Sequence, residues 1–122
     1  MPAAPTSAVL IGQDGAVRQV VLDLVQDALP SICDHLGYDK VAVVYLTDRL
    51  DLYVQRDAFL RRPVNHAATA LVASFDSDQQ HPCHGPALLV GARPMTGRTV
   101  GLTDDQVRAV LTHLPAGDCG TG

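Results

Sequence analysis

Short runs of apolar residues, some alternating with polar ones, predict a set of β-strands. Ser7 to Ile11 is such a run. The segment that follows, Gly12 to Gly15, is rich in residues that favour turns. Val41 to Leu46 is rich in β-branched and aromatic residues, and Leu50 to Val54 alternates apolar and polar positions, so these segments predict a hairpin. Two further runs of strand length are Pro86 to Gly91 and Gly97 to Leu102.

Apolar positions at three- and four-residue steps predict helices between the strands. Such a pattern runs from Ala16 to Ala28 and predicts an amphipathic helix, although its opening Val17 to Val21 (VRQVV) also suits a strand. We expect Pro30 to break this helix or to stand in the first turn of a new one, because proline has no backbone N–H to donate. A second short helical turn would then end at Gly37, which suits a C-terminal cap.

Two later helices have recognisable capping residues. Asn65 is a good N-cap for the Ala-rich segment from His66 to Ala73. Thr103 and Gln106 form a capping box before the last helix, in which each side chain satisfies a free backbone N–H group. Between these helices, Phe75 to Gly85 is polar and rich in turn residues and predicts an exposed loop.

The order of these elements predicts a single α+β domain. We expect a small mixed or antiparallel sheet of about four strands, with two to three helices packed mainly on one face. The 122 residues of the chain suit one domain. We place it at 7–115, between a flexible tail at 1–6 and a disordered tail at 116–122.

Composition and charge disfavour several classes of function. Aromatic residues make up only 4% of the chain, too few for a surface that stacks nucleic-acid bases, and the net charge of -4 opposes phosphate binding. Nucleic acid is therefore not an expected partner. We see no secretory signal and no apolar stretch of membrane length, so we expect no membrane association. The three cysteines are expected to be reduced thiols in a cytoplasm.

Three segments together resemble a known family. They are LVQDALPSI at 24–32, the hairpin VAVVYLTDRLDLYV at 41–54, and NHAATALV at 65–72 followed by GPALLVGA at 85–92. Over about Leu22 to Gly91 the chain resembles a family of short uncharacterised proteins from actinobacterial phages, plasmids and their hosts. Asn65, Ala68 and Thr69 match an Asn-x-x-Ala-Thr segment of that family.

The resemblance implies an order of elements and a mobile-element context, but it implies no activity. The family has a helix, a hairpin, the Asn-x-x-Ala-Thr segment and then a strand. The chain departs from it at Gln55-Arg56-Asp57, where the family has an acidic turn that contains glycine.

Cysteine and histidine residues in two segments suggest a metal site. Zinc takes four nitrogen or sulfur ligands, which pairs from two segments could supply together. The candidates are Cys33, His35, His81, Cys83 and His84. Their spacing within each segment is shorter than zinc-binding pairs usually have, so an ordinary polar loop with inert cysteines is the alternative. A nucleophilic Cys83 beside a histidine would also need a third, orienting group, which the sequence does not identify.

The start of the helix after Asn65 suggests a site for a small anion. A helix N-terminus offers free N–H groups, and two arginines just upstream add positive charge. The candidate residues are Arg61, Arg62, Asn65, His66 and Thr69. The alternative is a plain N-cap with an Ala-rich packing face and solvated arginines.

No complete catalytic constellation is visible in the sequence. We therefore expect a non-enzymatic accessory or regulatory protein of a mobile element or its host, which binds a protein partner or a small anionic ligand without a cofactor. A zinc-binding module and a nucleic-acid-associated regulator are the alternatives. The apolar stripe of the last helix could also form a homodimer face.

Overall fold

The described part of the chain forms one sheet with helices on both faces. A computed structural model describes residues 7–22, 28–47, 49–75, 82–93, 95–96 and 98–113. The strands are β1 (Ser7–Ile11), β2 (Val17–Val21), β3 (Val41–Thr47), β4 (Leu50–Gln55), β5 (Ala87–Ala92) and β6 (Thr99–Val100). The helices are α1 (Ala28–Leu36), α2 (His66–Phe75) and α3 (Asp104–His113), and a single 3₁₀ turn, Ala58–Leu60, follows β4.

The sheet has the order β2-β1-β5-β4-β3, and each strand pairing is antiparallel. The short strand β6 also pairs with β5. A bridge between Ser7 and Leu102 places β6 next to the first residue of β1. All residues of β5 are buried, because this strand has neighbours along both edges and helices over both faces. The α+β class is confirmed, with six strands rather than about four.

The strand β2 corrects the helix predicted from Ala16. Residues 17–21 pair with β1, from Ile11 opposite Val17 to Ser7 opposite Val21. The turn before β2 is closed by a hydrogen bond from Gly12 N to Ala16 O at 2.7 Å, and Gly15 has a φ of 92°, which glycine adopts without strain. With a partner strand so close, the β-branched valines pair as a strand. Residues 23–27 of the predicted helix lie outside the described residues.

Alternation along the strands divides the core into two clusters, one on each face of the sheet. On one face, Val9 and Leu89 pack with residues of α2 and α3. On the other, Leu10 and Leu88 pack with Ile32 of α1. The helices therefore do not lie mainly on one face, because α1 covers the face opposite α2 and α3.

The predicted helix ends agree with the structure where it describes them. Pro30 stands in the first turn of α1, and Gly37 ends this helix with a φ of 71° and a hydrogen bond to Cys33 O at 2.8 Å. Thr103 and Gln106 form the expected capping box of α3, with reciprocal hydrogen bonds of 3.1 and 2.9 Å. Among the described residues, no helix is long and apolar enough to cross a membrane. Both predicted tails, 1–6 and 116–122, lie outside the described residues.

An apolar pocket beside the edge strand as the candidate functional site

A pocket of about 190 Å³ opens between the sheet and the chain segments around α2. Its floor is formed by side chains of the last two strands of the sheet, Ala42, Val44 and Val54. Val72 of α2 forms one wall, and Phe59 of the 3₁₀ turn forms part of the rim. Most of the side chains that line the pocket are apolar, so it is suited to an apolar group rather than to an ion.

The remaining wall of the pocket comes from residues 82–84, which were predicted to be part of an exposed loop. Cys83 is only 9% exposed, and Gly85 is buried as well. Asn65 N donates to Cys83 O at 2.7 Å, and Gly85 N donates to Pro63 O at 3.0 Å. The predicted exposure was wrong for Cys83 and Gly85, because these hydrogen bonds hold them against the residues before α2, whereas Pro82 is exposed. Residues 76–81 lie outside the described residues.

Asn65 is the residue that holds this region together. Its Oδ1 accepts from Ala68 N at 3.0 Å, which is the expected N-cap bond of α2. Its Nδ2 donates to Ile11 O of β1 at 3.0 Å and to Gly85 O at 2.8 Å. The side chain is fully buried. A single amide thus joins α2, β1 and the segment before β5.

Thr69, one turn further along α2, has a similar internal role. Its hydroxyl donates to Asn65 O at 2.8 Å and accepts from Cys83 N at 2.9 Å. Burial raises the pKa of the Cys83 thiol, and a hydrogen bond with Thr69 opposes this in part. A thiol with a raised pKa is less readily converted to the thiolate, which is the nucleophilic form, so the surroundings of Cys83 favour its neutral form.

Three of the five side chains proposed as anion ligands make stacking or polar contacts within the chain. The guanidinium of Arg61 stacks on the Tyr38 ring at 4.2 Å and donates to Arg56 O at 2.9 Å. The Cβ and Cγ atoms of Arg62 lie against Gly85, and His66 is exposed at the start of α2. The polar atoms of Asn65 and Thr69 are engaged within the chain, as described above.

The proposed metal ligands are distributed over both faces of the sheet. Cys33 and His35 lie on α1, whereas Cys83 packs in the core under α2 on the opposite face. His35 Nε2 donates to Val21 O at 2.8 Å, and His84 Nδ1 donates to Arg62 O at 2.9 Å. Within the described ranges, no three His, Cys, Asp or Glu side chains are grouped so that they could hold a metal ion. His81 lies outside those ranges.

Burial also raises the pKa of the Cys33 thiol, and the nearby charges of Asp39 and Asp34 raise it further. The thiol is near enough to Asp39 O, at 3.7 Å, for a weak hydrogen bond. Cys33 thus helps to hold the chain after α1, and its surroundings favour the neutral thiol over the thiolate that a metal would require.

Sequence reasoning missed the 3₁₀ turn that forms part of the pocket. No element was predicted between the hairpin and Asn65, yet Ala58 is buried and lines the pocket beside Phe59. Phe59 and Leu60 are 65% and 71% exposed, which is unusual for large apolar side chains next to each other. The available signal was the apolar triplet Ala58-Phe59-Leu60 within an otherwise polar segment.

The fold and the site define a small α+β domain with an antiparallel sheet and an apolar pocket next to an edge strand. The chain belongs to the DUF3846 family, a domain of unknown function, which matches residues 6–115. No curated protein and no solved structure matches the chain.

Proposed function

We propose that the protein is a non-enzymatic accessory protein that binds a protein partner through the pocket and its rim. The observation that carries this proposal is the apolar pocket with the exposed aromatic side chain of Phe59 at its rim. Exposed apolar patches next to a concave site are typical of surfaces that bind other proteins.

The size of the pocket favours a protein side chain over a cofactor. Its volume of about 190 Å³ is below the range of roughly 300–1,000 Å³ that is usual for small-molecule sites. An apolar side chain of a partner is small enough to enter it, and Phe59 would contact the partner at the rim. The anionic-ligand alternative has less support, because Asn65 and Thr69 direct their polar atoms to other groups of the chain.

The biological setting that we propose is a mobile element or its host, where small accessory proteins act on other proteins. This part of the proposal rests on the family resemblance in the sequence. Neither a zinc-binding module nor a nucleic-acid-associated regulator gains support from the described residues.

A pair of rim variants tests the proposal. Peptides selected from a displayed random library against the full chain serve as the probe, and their affinities are measured by fluorescence anisotropy. We expect Phe59→Asp to weaken binding about tenfold or more, because a contacting aromatic side chain is a typical binding hot spot. Leu60→Asp is the matched control, since Leu60 is equally exposed but does not line the pocket.

Two results would overturn the proposal. One is equal binding of the selected peptides to both variants, which would place their contacts elsewhere. The other is turnover of generic ester, phosphoester or nucleotide substrates by the purified protein, which would make it an enzyme.

A further inference from the structure

The outer edge of β3 has backbone groups available for another strand. In the described part of the chain, β4 is the one strand that pairs with β3. Arg56 N donates to Lys40 O at 2.9 Å, so the backbone groups of Lys40 point toward β4. Backbone groups of successive strand residues point alternately to the two sides, so those of Ala42 and Val44 also point toward β4. Val41, Val43 and Tyr45 therefore direct their N–H and C=O groups away from β4.

Over Val41 to Tyr45 this edge has neither the charges nor the proline by which proteins often protect an edge strand. From Val41 to Thr47 it has no charged residue and no proline, and most of its residues are β-branched or aromatic. Tyr45 is 74% exposed although tyrosine is a large and mostly apolar side chain. A register shift between Tyr45 and Thr47 interrupts only the end of the strand.

We propose that the edge of β3 pairs with the same edge of a second copy of this chain, antiparallel and about a two-fold axis at Val43. In this register Val43 lies opposite its equivalent, and Val41 lies opposite Tyr45 of the other copy. All three residues with outward backbone groups are then paired, by about six hydrogen bonds. Tyr45 packs across the interface on Val41, which is an aromatic and β-branched pair of the kind that stabilises sheets.

The uncharged sequence of β3 favours an antiparallel second copy as the occupant. From Val41 to Thr47 no side chain is charged, so the strand opposes no like charges when it pairs with itself. Asp39 and Lys40 are exposed just before the strand, and Arg49 is exposed just after it. None of the three takes part in an ion pair among the described residues. An antiparallel pairing brings Asp39 of each copy toward Arg49 of the other.

The dimer would place two pockets on one continuous face. Ala42 and Val44 line the pocket, and they lie on the same strand as the paired backbone groups. Because the axis is perpendicular to the sheet, the pockets of both copies open on the same side of one continuous sheet, which joins the six strands of each copy. The dimer does not depend on whether a partner binds in the pocket.

Sedimentation equilibrium of the full chain with two variants at one position tests the pairing. A small interface of this kind is expected to dissociate in about the micromolar range or weaker. Val43→Pro removes an outward N–H that has no role within the subunit, so it should give a folded monomer. Val43→Thr keeps the N–H and the β-branched shape, and it should remain a dimer.

Charge exchange provides a second test that does not depend on proline. Asp39→Arg alone and Arg49→Asp alone should each raise the dimer dissociation constant about three- to tenfold, because each replaces attraction by repulsion. The double variant Asp39→Arg/Arg49→Asp should dimerise at least as tightly as the wild type, because residues 39 and 40 are then both basic and residues 48 and 49 both acidic. Far-UV circular dichroism and thermal melting establish that each variant is folded.

The proposal is overturned if the wild-type chain is a monomer at about 500 µM, well above the expected dissociation constant. It is also overturned if folded Val43→Pro dimerises like the wild type, or if the double charge variant is as weak as the single ones. These outcomes leave peptide binding at Phe59 unaffected, so failure of the dimer is distinguishable from failure of the proposed function.

Discussion

At the scale of single residues, Asn65 has more structural consequences than its sequence context suggests. The sequence predicted an N-cap of α2 or a ligand of a small anion. In the folded chain its amide also donates to Ile11 O and Gly85 O, so it connects three parts of the sequence that are far apart. A buried amide with this many partners specifies one arrangement, because each lost bond leaves a buried carbonyl unsatisfied.

We expect Asn65→Ala to lower the free energy of unfolding by about 3 kcal/mol, as the sum of a lost cap and unsatisfied buried carbonyls. Urea denaturation monitored by circular dichroism measures the change. The neighbouring His66 is exposed, so His66→Ala is the control and should change stability by less than about 0.5 kcal/mol. Similar stabilities for the two variants would show that the Asn65 bonds contribute little.

Asp51 is the second residue whose environment defines a prediction. It is only 4% exposed, and burial raises the pKa of its carboxyl above the ordinary value of 3.8. The folded state therefore binds the proton more tightly than the unfolded state. The free energy of unfolding therefore falls as the pH rises from 3.8 through the raised pKa of Asp51. Above that raised pKa the carboxyl is charged in both states, and the full cost of burying the charge lowers stability.

Asp51→Asn removes this charge and keeps the shape of the side chain. We expect it to raise the free energy of unfolding at pH 7 by about 1 kcal/mol. The gain should disappear as the pH falls below 3.8, where the carboxyl is protonated in both states. Urea titrations from pH 3 to pH 8 measure this, with the exposed Asp34→Asn as control. A loss of stability at pH 7 would contradict the prediction.

At the scale of elements, local signals in the sequence were sufficient wherever an element is defined by its own residues. The caps of α2 and α3, the end of α1 and the hairpin of β3 and β4 were all predicted correctly. Their determinants lie within a few residues of one another, as with Thr103 and Gln106. The segment Val17–Val21 shows the opposite case, because its strand conformation depends on β1 as a partner.

The capping box of α3 gives a prediction at this scale. Thr103→Ala removes the hydroxyl that accepts from Gln106 N at 3.1 Å, so the free energy of unfolding should fall by about 1 kcal/mol. Thr103→Ser keeps the hydroxyl and should stay within about 0.5 kcal/mol of the wild type. Hydrogen exchange of the first turn of α3 shows the difference directly. Equal protection in both variants would mean that the cap is dispensable.

At the scale of the whole molecule, the sheet decides which candidate ligands can meet. Cys33 and Cys83 were grouped as candidate zinc ligands, but they lie on opposite faces of the sheet. Cys33 belongs to α1 on one face, and Cys83 packs with α2 on the other. The same arrangement creates the pocket, since β3, β4, α2 and the 82–84 segment converge there. Neither result follows from the spacing of residues along the chain.

The separation of the two cysteines gives a prediction about metal binding. We expect protein purified without a histidine tag to contain substoichiometric zinc and to keep its melting temperature when a chelator is added. Elemental analysis and thermal melting with and without EDTA provide the measurements. Zinc at one equivalent, together with a chelator-dependent fall in the melting temperature, would instead establish a structural zinc site.

The sequence by itself determined the α+β class, most strand and helix positions and their caps, because hydrophobic period and capping chemistry act over a few residues. The tertiary structure alone decided the strand order, the conformation of Val17–Val21 and the placement of α1 opposite α2 and α3. It also decided that Cys83 is buried and that Phe59 stands at the rim of a pocket. These features depend on contacts between distant segments, which the chain acquires only when the sheet forms.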